Sequence, residues 1–350
     1  RAGLASVSRL VLEARPAERA SFRAEGSLEL DYGSLSAFAV AREAGLASVS
    51  DLPPGVDPRR EFSLDQAYST ILWGPMDIRA GLVPIAWGSA YAFNPSARVA
   101  APRSPWDAEE TEEGSPSADL SLSLAGGLSL EAYLAFGDRS GSLWPSVEEG
   151  EWGRLPWGAK LQYRGAGFDL SAGAICEVVS CSGADPARLW ACADAVGSAG
   201  DLDLYVEAAL RLDDSSFPDP EGGLEAAAGL AWALPAIDAT LRLEYAHLGT
   251  GGGTRSEYDW AALLEGRAAT LGRDYALAAI EREEADRWSV NLGVLSNLRD
   301  GSLAAAAEVG VRPTPVVELS AFCVLYAGDE GDEFDGRFSP GPGLKLDLAR

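Results

Sequence analysis

Histidine is almost missing from this 350-residue chain; His247 is the only one. A metal site that takes two histidines from one chain is excluded, and any hydrolase chemistry with a histidine base has to use this residue. By alternation with Leu241, Leu243 and Tyr245, His247 falls on the apolar face of a strand near its end, a poor position for a general base. The chain has no Gly-x-Ser-x-Gly nucleophile elbow. The glycine-rich Thr250-Gly251-Gly252-Gly253-Thr254 lacks the Gly-Lys-Ser/Thr of a phosphate loop and reads as a flexible tip. No catalytic residue, cofactor or metal-ligating set is expected, and the chain does not read as an enzyme.

Basic charge is also scarce. There are 28 Lys and Arg against 53 Asp and Glu, a net charge of −25. Phosphate binding needs a basic footprint, so nucleic acid is not an expected partner. Four acidic clusters, Asp107–Glu113, Glu148–Glu151, Asp213–Glu221 and Asp329–Asp335, hold 17 of the acids and lie between strand-like segments. Such clusters read first as solvated loops and second as sites for divalent cations; the spacing in Asp329–Gly336 does not match an EF-hand. Of the four cysteines, Cys176, Cys181 and Cys192 lie near one proposed loop, where an oxidised pair is one option, and Cys323 stands alone on an alternating strand. No zinc-type CxxC is present. Long apolar runs are lacking too: nothing approaches the roughly 20 residues of a membrane helix, although hydrophobic residues make up 47%.

What the chain does have is alternation. Phe22–Tyr32 puts Phe, Ala, Gly, Leu, Leu and Tyr on one face and Arg, Glu, Ser, Glu and Asp on the other. The pattern returns at Leu202–Leu212, Leu120–Leu124 and Leu128–Phe136. Segments of about ten such residues joined by turns are the signature of a transmembrane β-barrel, the one way for strands to pair every backbone group in lipid. Strands are expected at 4–15, 20–32, 64–73, 77–87, 118–125, 128–136, 157–164, 168–179, 188–197, 202–212, 224–234, 238–248, 275–282, 287–298, 302–312, 317–326 and 343–350. Short turns alternate with long loops, the asymmetry of outer-membrane barrels. The expected fold is therefore all-β, a single antiparallel up-and-down barrel over 1–350. Seventeen strands lie in this chain. The first and last both descend toward the short turns, so an even count implies a further strand, and a signal peptide, ahead of Arg1, with about 18 strands in the intact protein.

Aromatic residues near strand ends, Tyr32, Trp73, Trp87, Phe136, Trp157, Phe168, Trp190, Trp232, Tyr245, Trp288 and Tyr326, are expected to form two interfacial girdles. The long loops 33–63 and 249–274 carry helix-like stretches, including Asp259–Ala269, and at least one is expected to fold inward or cap the mouth.

The most distinctive stretch runs Asp65-Gln66-Ala67-Tyr68, then Trp73-Gly74-Pro75-Met76-Asp77-Ile78-Arg79-Ala80-Gly81, then Ile85-Ala86-Trp87-Gly88, then Phe93-Asn94-Pro95. It resembles a poorly characterised group of porin-like Gram-negative outer-membrane barrels, in which a similar hairpin leads to Trp-Gly and then Asn-Pro. The resemblance covers about 35 residues by motif and implies an integral outer-membrane location, with Trp87, Gly88, Asn94 and Pro95 as the loop motif. The chain departs from the group in two places. It has Val83-Pro84 where members often carry a polar or basic pair, and Ser96-Ala97-Arg98 where they often carry an Asp. A role of those polar groups in holding a ligand or a folded-in loop thus loses its usual residues here. From the residues alone, the stretch is a tight hairpin and a Gly-Pro loop with Trp87 at the interface.

Strand parity places charges of both signs on the inner face: Arg9, Glu13, Arg23, Glu25, Glu29, Arg79, Glu131, Lys160, Asp169, Asp203, Glu207, Arg211, Arg242, Glu244, Glu308, Arg312 and Glu318. A barrel of 16–18 strands typically leaves an aqueous channel. The leading expectation is a passive channel for small solutes, weakly cation-preferring because its acidic loops concentrate cations, with outer-membrane lipid and small solutes as partners. The alternatives are a plugged barrel that acts as a surface, structural or partner-binding protein, and an uptake channel for hydrophobic compounds.

Overall fold

The computed structural model describes residues 3–33, 59–99, 114–136, 155–178, 187–212, 223–264, 268–284, 287–314, 317–338 and 341–348. Cys181, the loop segment 34–58 and the acidic clusters Asp107–Glu113, Glu148–Glu151 and Asp213–Glu221 lie outside them. Seventeen strands form one sheet: β1 Gly3–Ala17, β2 Ala20–Gly33, β3 Arg59–Trp73, β4 Met76–Val83, β5 Ser115–Ser123, β6 Leu128–Ala135, β7 Trp157–Arg164, β8 Phe168–Glu177, β9 Arg188–Ala199, β10 Leu202–Arg211, β11 Leu224–Leu234, β12 Ala239–Leu248, β13 Asp274–Glu284, β14 Trp288–Asn297, β15 Leu303–Thr314, β16 Val317–Ala327 and β17 Gly341–Leu348. Each pairs antiparallel with its neighbours in sequence, from β1–β2 through β16–β17. An odd count leaves β1 and β17 running in the same direction, and they meet in parallel from Gly3–Gly343 to Ser8–Leu348. This is a transmembrane up-and-down barrel fold. The α-helix among the described residues is the five-residue α1 at Trp260–Leu264, within the expected 259–269 stretch. Among the described residues no helix is long and apolar enough to cross a membrane.

The alternation behaves as strand geometry requires. On β10, Leu204 and Val206 are each 49% exposed on the outer face, while Glu207 between Val206 and Ala208 is fully buried on the inner one. The outer belt continues through Leu10, Leu12, Phe62, Leu64, Leu243, Leu292, Val294, Val309, Val311, Leu319 and Leu325, all exposed and all apolar, as a lipid-facing surface demands. Trp73, Phe168 and Trp232 stand exposed at the short-turn end, and Phe136, Trp157 and Tyr245 at the long-loop end. They form the two girdles.

Three members of the expected girdles are not there. Trp87, Trp190 and Tyr326 lie inside the barrel: Trp87 and Trp190 are buried, and Tyr326 packs on Phe334 at 5.5 Å between ring centres. Parity explains the last two, since Trp190 pairs with Ile175, which is fully buried, and Tyr326 with Ala304. For Trp87 the cause is Pro84. β4 ends at Val83 rather than at residue 87, because a proline cannot donate to the ladder, and the chain turns inward from there.

Candidate functional site

The segment 84–99 folds into the barrel and is held there by inner-face carboxylates. Glu207 of β10 accepts the N–H groups of Ser89 (2.8 Å), Ala90 (3.1 Å) and Ser96 (2.6 Å). Glu244 of β12 accepts those of Tyr91 (2.7 Å), Ala92 (3.2 Å) and Phe93 (2.8 Å), together with the hydroxyl of Tyr205 (2.7 Å). A loop inside a barrel exposes backbone donors that no strand can satisfy, and two carboxyl groups with several acceptor positions each satisfy six of them. Each such bond contributes roughly 0.5–1.5 kcal/mol net, and a buried N–H left without it costs about 1–3 kcal/mol. Gly88 makes the entry possible: its φ is +108°, and a Cβ there would stand 2.5 Å from Glu207 Oε2 and 2.6 Å from Asn94 Oδ1.

A second anchor closes the segment. Arg98, 5% exposed, donates from Nε to the Pro95 carbonyl at 2.7 Å and from Nη2 to Glu225. Its Nη1 lies 3.9 Å from Glu177, and its guanidinium stacks on Trp190 at 3.9 Å from the ring centre. Trp190 in turn donates its indole N–H to Glu177 at 2.9 Å. The chain departs from its resemblance group at Ser96-Ala97-Arg98, yet those residues hold the loop: Ser96 through its N–H, Arg98 through this box. Pro95 is buried and Asn94 is exposed at the turn, where its carbonyl accepts the Ala97 N–H at 3.0 Å.

Apolar contacts fill the space around these bonds. Trp87 meets Tyr133 edge-on at 4.8 Å, in a seat left open by Gly158, where a Cβ would be 2.5 Å from Tyr133 and 2.8 Å from Trp87. Phe93 stacks on Tyr275 at 5.2 Å and packs with Tyr205, Ala227, Ala246, Leu277, Leu295 and Ala304. Ser96 lies beside the thiol of Cys192, and neither Cys192 nor Cys323 forms a disulfide among the described residues. Burying a side chain such as Phe93 adds about 1.5–3 kcal/mol.

Toward the short turns the inner face changes character. Arg23 bonds Glu13 (2.6 Å) and Glu25 (2.7 Å), and Arg79 bonds Asp119 through Nε at 3.0 Å and through Nη2. Lys160 meets Glu131 at 3.1 Å, and Arg242 donates to Glu281 at 2.8 Å with its guanidinium 4.5 Å from the centre of the Tyr91 ring. Asp203 is exposed. Glu308 and Arg312, half-buried, share the face of Ala304, and Arg211, also half-buried, pairs in register with Trp190 at the long-loop end. Side chains at residues 3–9, 29–33, 59–61, 317–318 and 341–348 lie outside the described set, and with them Arg9, Glu29 and Glu318. The strand parities of Glu225 and Glu281 were available in the sequence. The role of Arg98 was not, because a loop residue has no parity.

The described parts of three further loops, 249–274, 298–302 and 328–338, clasp one another at the rim. Glu333 accepts from Leu271 N–H (2.9 Å), Tyr275 hydroxyl (2.5 Å) and Asn297 Nδ2 (2.7 Å). Asp300 accepts from Tyr258 hydroxyl (2.9 Å), Glu333 N–H (2.9 Å) and Ser302 N–H (2.8 Å). Burial pushes the Glu333 carboxyl above the usual range. Burial also pushes on Asp300, but the Glu333 and Ser302 donors outweigh it and hold that carboxyl low. The tip at 250–254 is part of the clasp: Gly252 bridges to Gly272, and Thr250 Oγ1 bonds Glu225 at 2.8 Å. In the described acidic cluster, Asp335 pairs with Arg337 and Asp332 with Arg255. Among the described residues no group of three or more His, Cys, Asp or Glu is arranged to hold a metal ion. His247, beside Tyr245, pairs with Asp274 at 2.8 Å. The loop that enters the barrel is thus 84–99, while the described part of 249–274 caps the rim.

No family model matches the chain, and no curated protein matches it. Among solved structures it is similar to Wzi of Escherichia coli, described as an outer-membrane protein involved in group 1 capsule assembly and a carbohydrate-binding β-barrel. The TM-score is 0.53 at 10% identity, over 94% of this chain and 80% of that one. A mutant of the Rh. blastica porin gives a TM-score of 0.39 at 12% identity, over 91% and 83%. At 10% identity the likeness to Wzi concerns the fold alone, that of an outer-membrane β-barrel protein.

Proposed function

We propose that this chain is an outer-membrane channel for passive diffusion of small hydrophilic solutes, narrowed from within by segment 84–99. The observation that carries this reading is the division of the lumen. The segment packs against β6–β15 toward the long loops, while the short-turn half keeps half-exposed charges of both signs. A packed loop leaves a constriction, and a charged wall suits water-filled passage. Weak cation preference follows from the net charge of −25. The charged inner wall disfavours the uptake of hydrophobic compounds. A plugged barrel that serves as a surface or partner-binding protein is the second reading, favoured by the extent of apolar packing around Phe93 and Trp87.

Planar-bilayer recording of the refolded protein in a salt gradient separates these. The channel reading expects small discrete openings with a reversal potential toward cation selectivity. Silence from a heat-modifiable, protease-resistant barrel overturns it in favour of the plug, and anion selectivity overturns the cation preference.

A further inference from the structure

The inner face at the short-turn end holds one cation and one anion that are not spent on each other. Asp203 of β10 pairs in register with Ala231 of β11, and Ala231 pairs with Arg242 of β12. The three residues therefore stand side by side on one face, with the small side chain of Ala231 on the strand between. Two inter-strand spacings separate the Asp203 and Arg242 backbones by about 10 Å. On the far side of Arg242 the register partner is Ala279, again small.

Arg242 is fixed but not consumed. Its Nε is tied to Glu281 at 2.8 Å and its plane lies 4.5 Å from the Tyr91 ring centre, so the side chain is held from two sides. Its terminal Nη1 and Nη2 donate no hydrogen bond among the described residues. A guanidinium edge held in this way matches a carboxylate in geometry and charge, with little entropy left to lose. Asp203 is exposed and has no hydrogen-bond or ion-pair partner among the described residues.

We propose that Arg242 and Asp203 form a subsite for small zwitterionic solutes of the α-amino acid class, Arg242 taking the carboxylate and Asp203 the ammonium group, across the floor made by Ala231. A solute with one charge engages only half of the site. The proposal rests on the channel reading only in needing solute access from the short-turn mouth.

The test is equilibrium binding to the full chain in detergent, by flow dialysis with radiolabelled L-alanine, with lactate, alaninamide and lactamide as competitors that keep one charge or neither. The expected result is saturable binding in which each competitor is weaker than L-alanine by about tenfold or more, a ratio set by losing one charge-assisted contact. Asp203→Asn, which touches no part of the loop, lowers affinity by a similar factor. Arg242→Lys keeps the charge and loses the fork, and lowers it less. If Arg242→Lys fails to fold, Asp203→Asn decides alone. No saturable binding, lactate equal to L-alanine, or Asp203→Asn binding as tightly as the parent each overturn the proposal. Binding by a barrel that never conducts keeps the subsite and removes the channel, whereas conduction without binding does the reverse.

Discussion

The two halves of the barrel interior are built from the same strands, yet they do opposite things. Toward the long loops, the inner residues Tyr205, Glu207, Glu244, Ala246, Tyr275, Leu295 and Asn297 are buried beneath or beside an inward-folded segment. Toward the short turns, Glu13, Arg23, Arg79, Asp203 and Arg242 remain at least partly accessible. The difference lies in where charge is satisfied. In the packed half, carboxylates are matched by backbone N–H groups of the loop, so burial is tolerated. In the open half, charges meet other side chains or water. Rigidity and narrowing belong to the first half, and solute contact to the second.

That contrast can be broken most severely at its anchors. Glu207→Ala leaves three N–H groups, two of them buried, without an acceptor and should destabilise the fold by about 3–5 kcal/mol, with larger single-channel conductance. Denaturant unfolding in detergent and bilayer recording read the two effects. An equally stable variant of unchanged conductance would mean the loop is held elsewhere. Arg98→Met comes next. It leaves Glu177 and Glu225 without their common cation and should cost about 3–4 kcal/mol in the same unfolding assay. Recovery in the triple variant Arg98→Met, Glu177→Gln, Glu225→Gln would show that the uncompensated charge, and not packing, carries the loss. Gly88→Ala is milder in chemistry but strained in conformation, at φ +108° and against Glu207, and a loss of about 2 kcal/mol is expected from melting curves.

The smallest effect is at the rim. The Asp300 carboxyl is held below its ordinary range, so its contribution is present above the unfolded value of about 3.9 and is lost as pH falls through the lower folded value. Limited proteolysis of the rim loops should therefore speed up in that acid window, and Asp300→Asn should flatten the dependence. A parent whose proteolysis rate ignores pH there would remove Asp300 from the clasp.

Much of the fold was legible because a strand's period of two survives in sequence. All seventeen strands fall where alternation puts them, with most ends displaced by three residues or fewer. The exceptions are instructive. β3 begins at Arg59, five residues earlier than its pattern suggests, where a register shift near Asp65 and Gln66 breaks the alternation. β4 stops at Val83 because Pro84 ends the ladder. The inward loop was not legible: its anchors Glu207 and Glu244 read as ordinary inner-face charges, and Arg98, Trp87 and Phe93 lie in a segment with no period to follow. A buried carboxylate's partner here is a backbone N–H more than 100 residues away, and spacing carries no record of it.

The position of that loop can be measured directly. Ser96 lies beside Cys192, so Ser96→Cys in a chain retaining Cys192, with Cys176, Cys181 and Cys323 replaced by alanine, brings two thiols together inside the barrel. Mild oxidation of the membrane-embedded protein should give an intramolecular disulfide, seen as loss of both thiols to a maleimide reagent and a shift on a non-reducing gel. Two thiols that stay free and reactive in a correctly folded barrel would contradict an inward-folded 84–99, and with it the constriction on which the proposed channel depends.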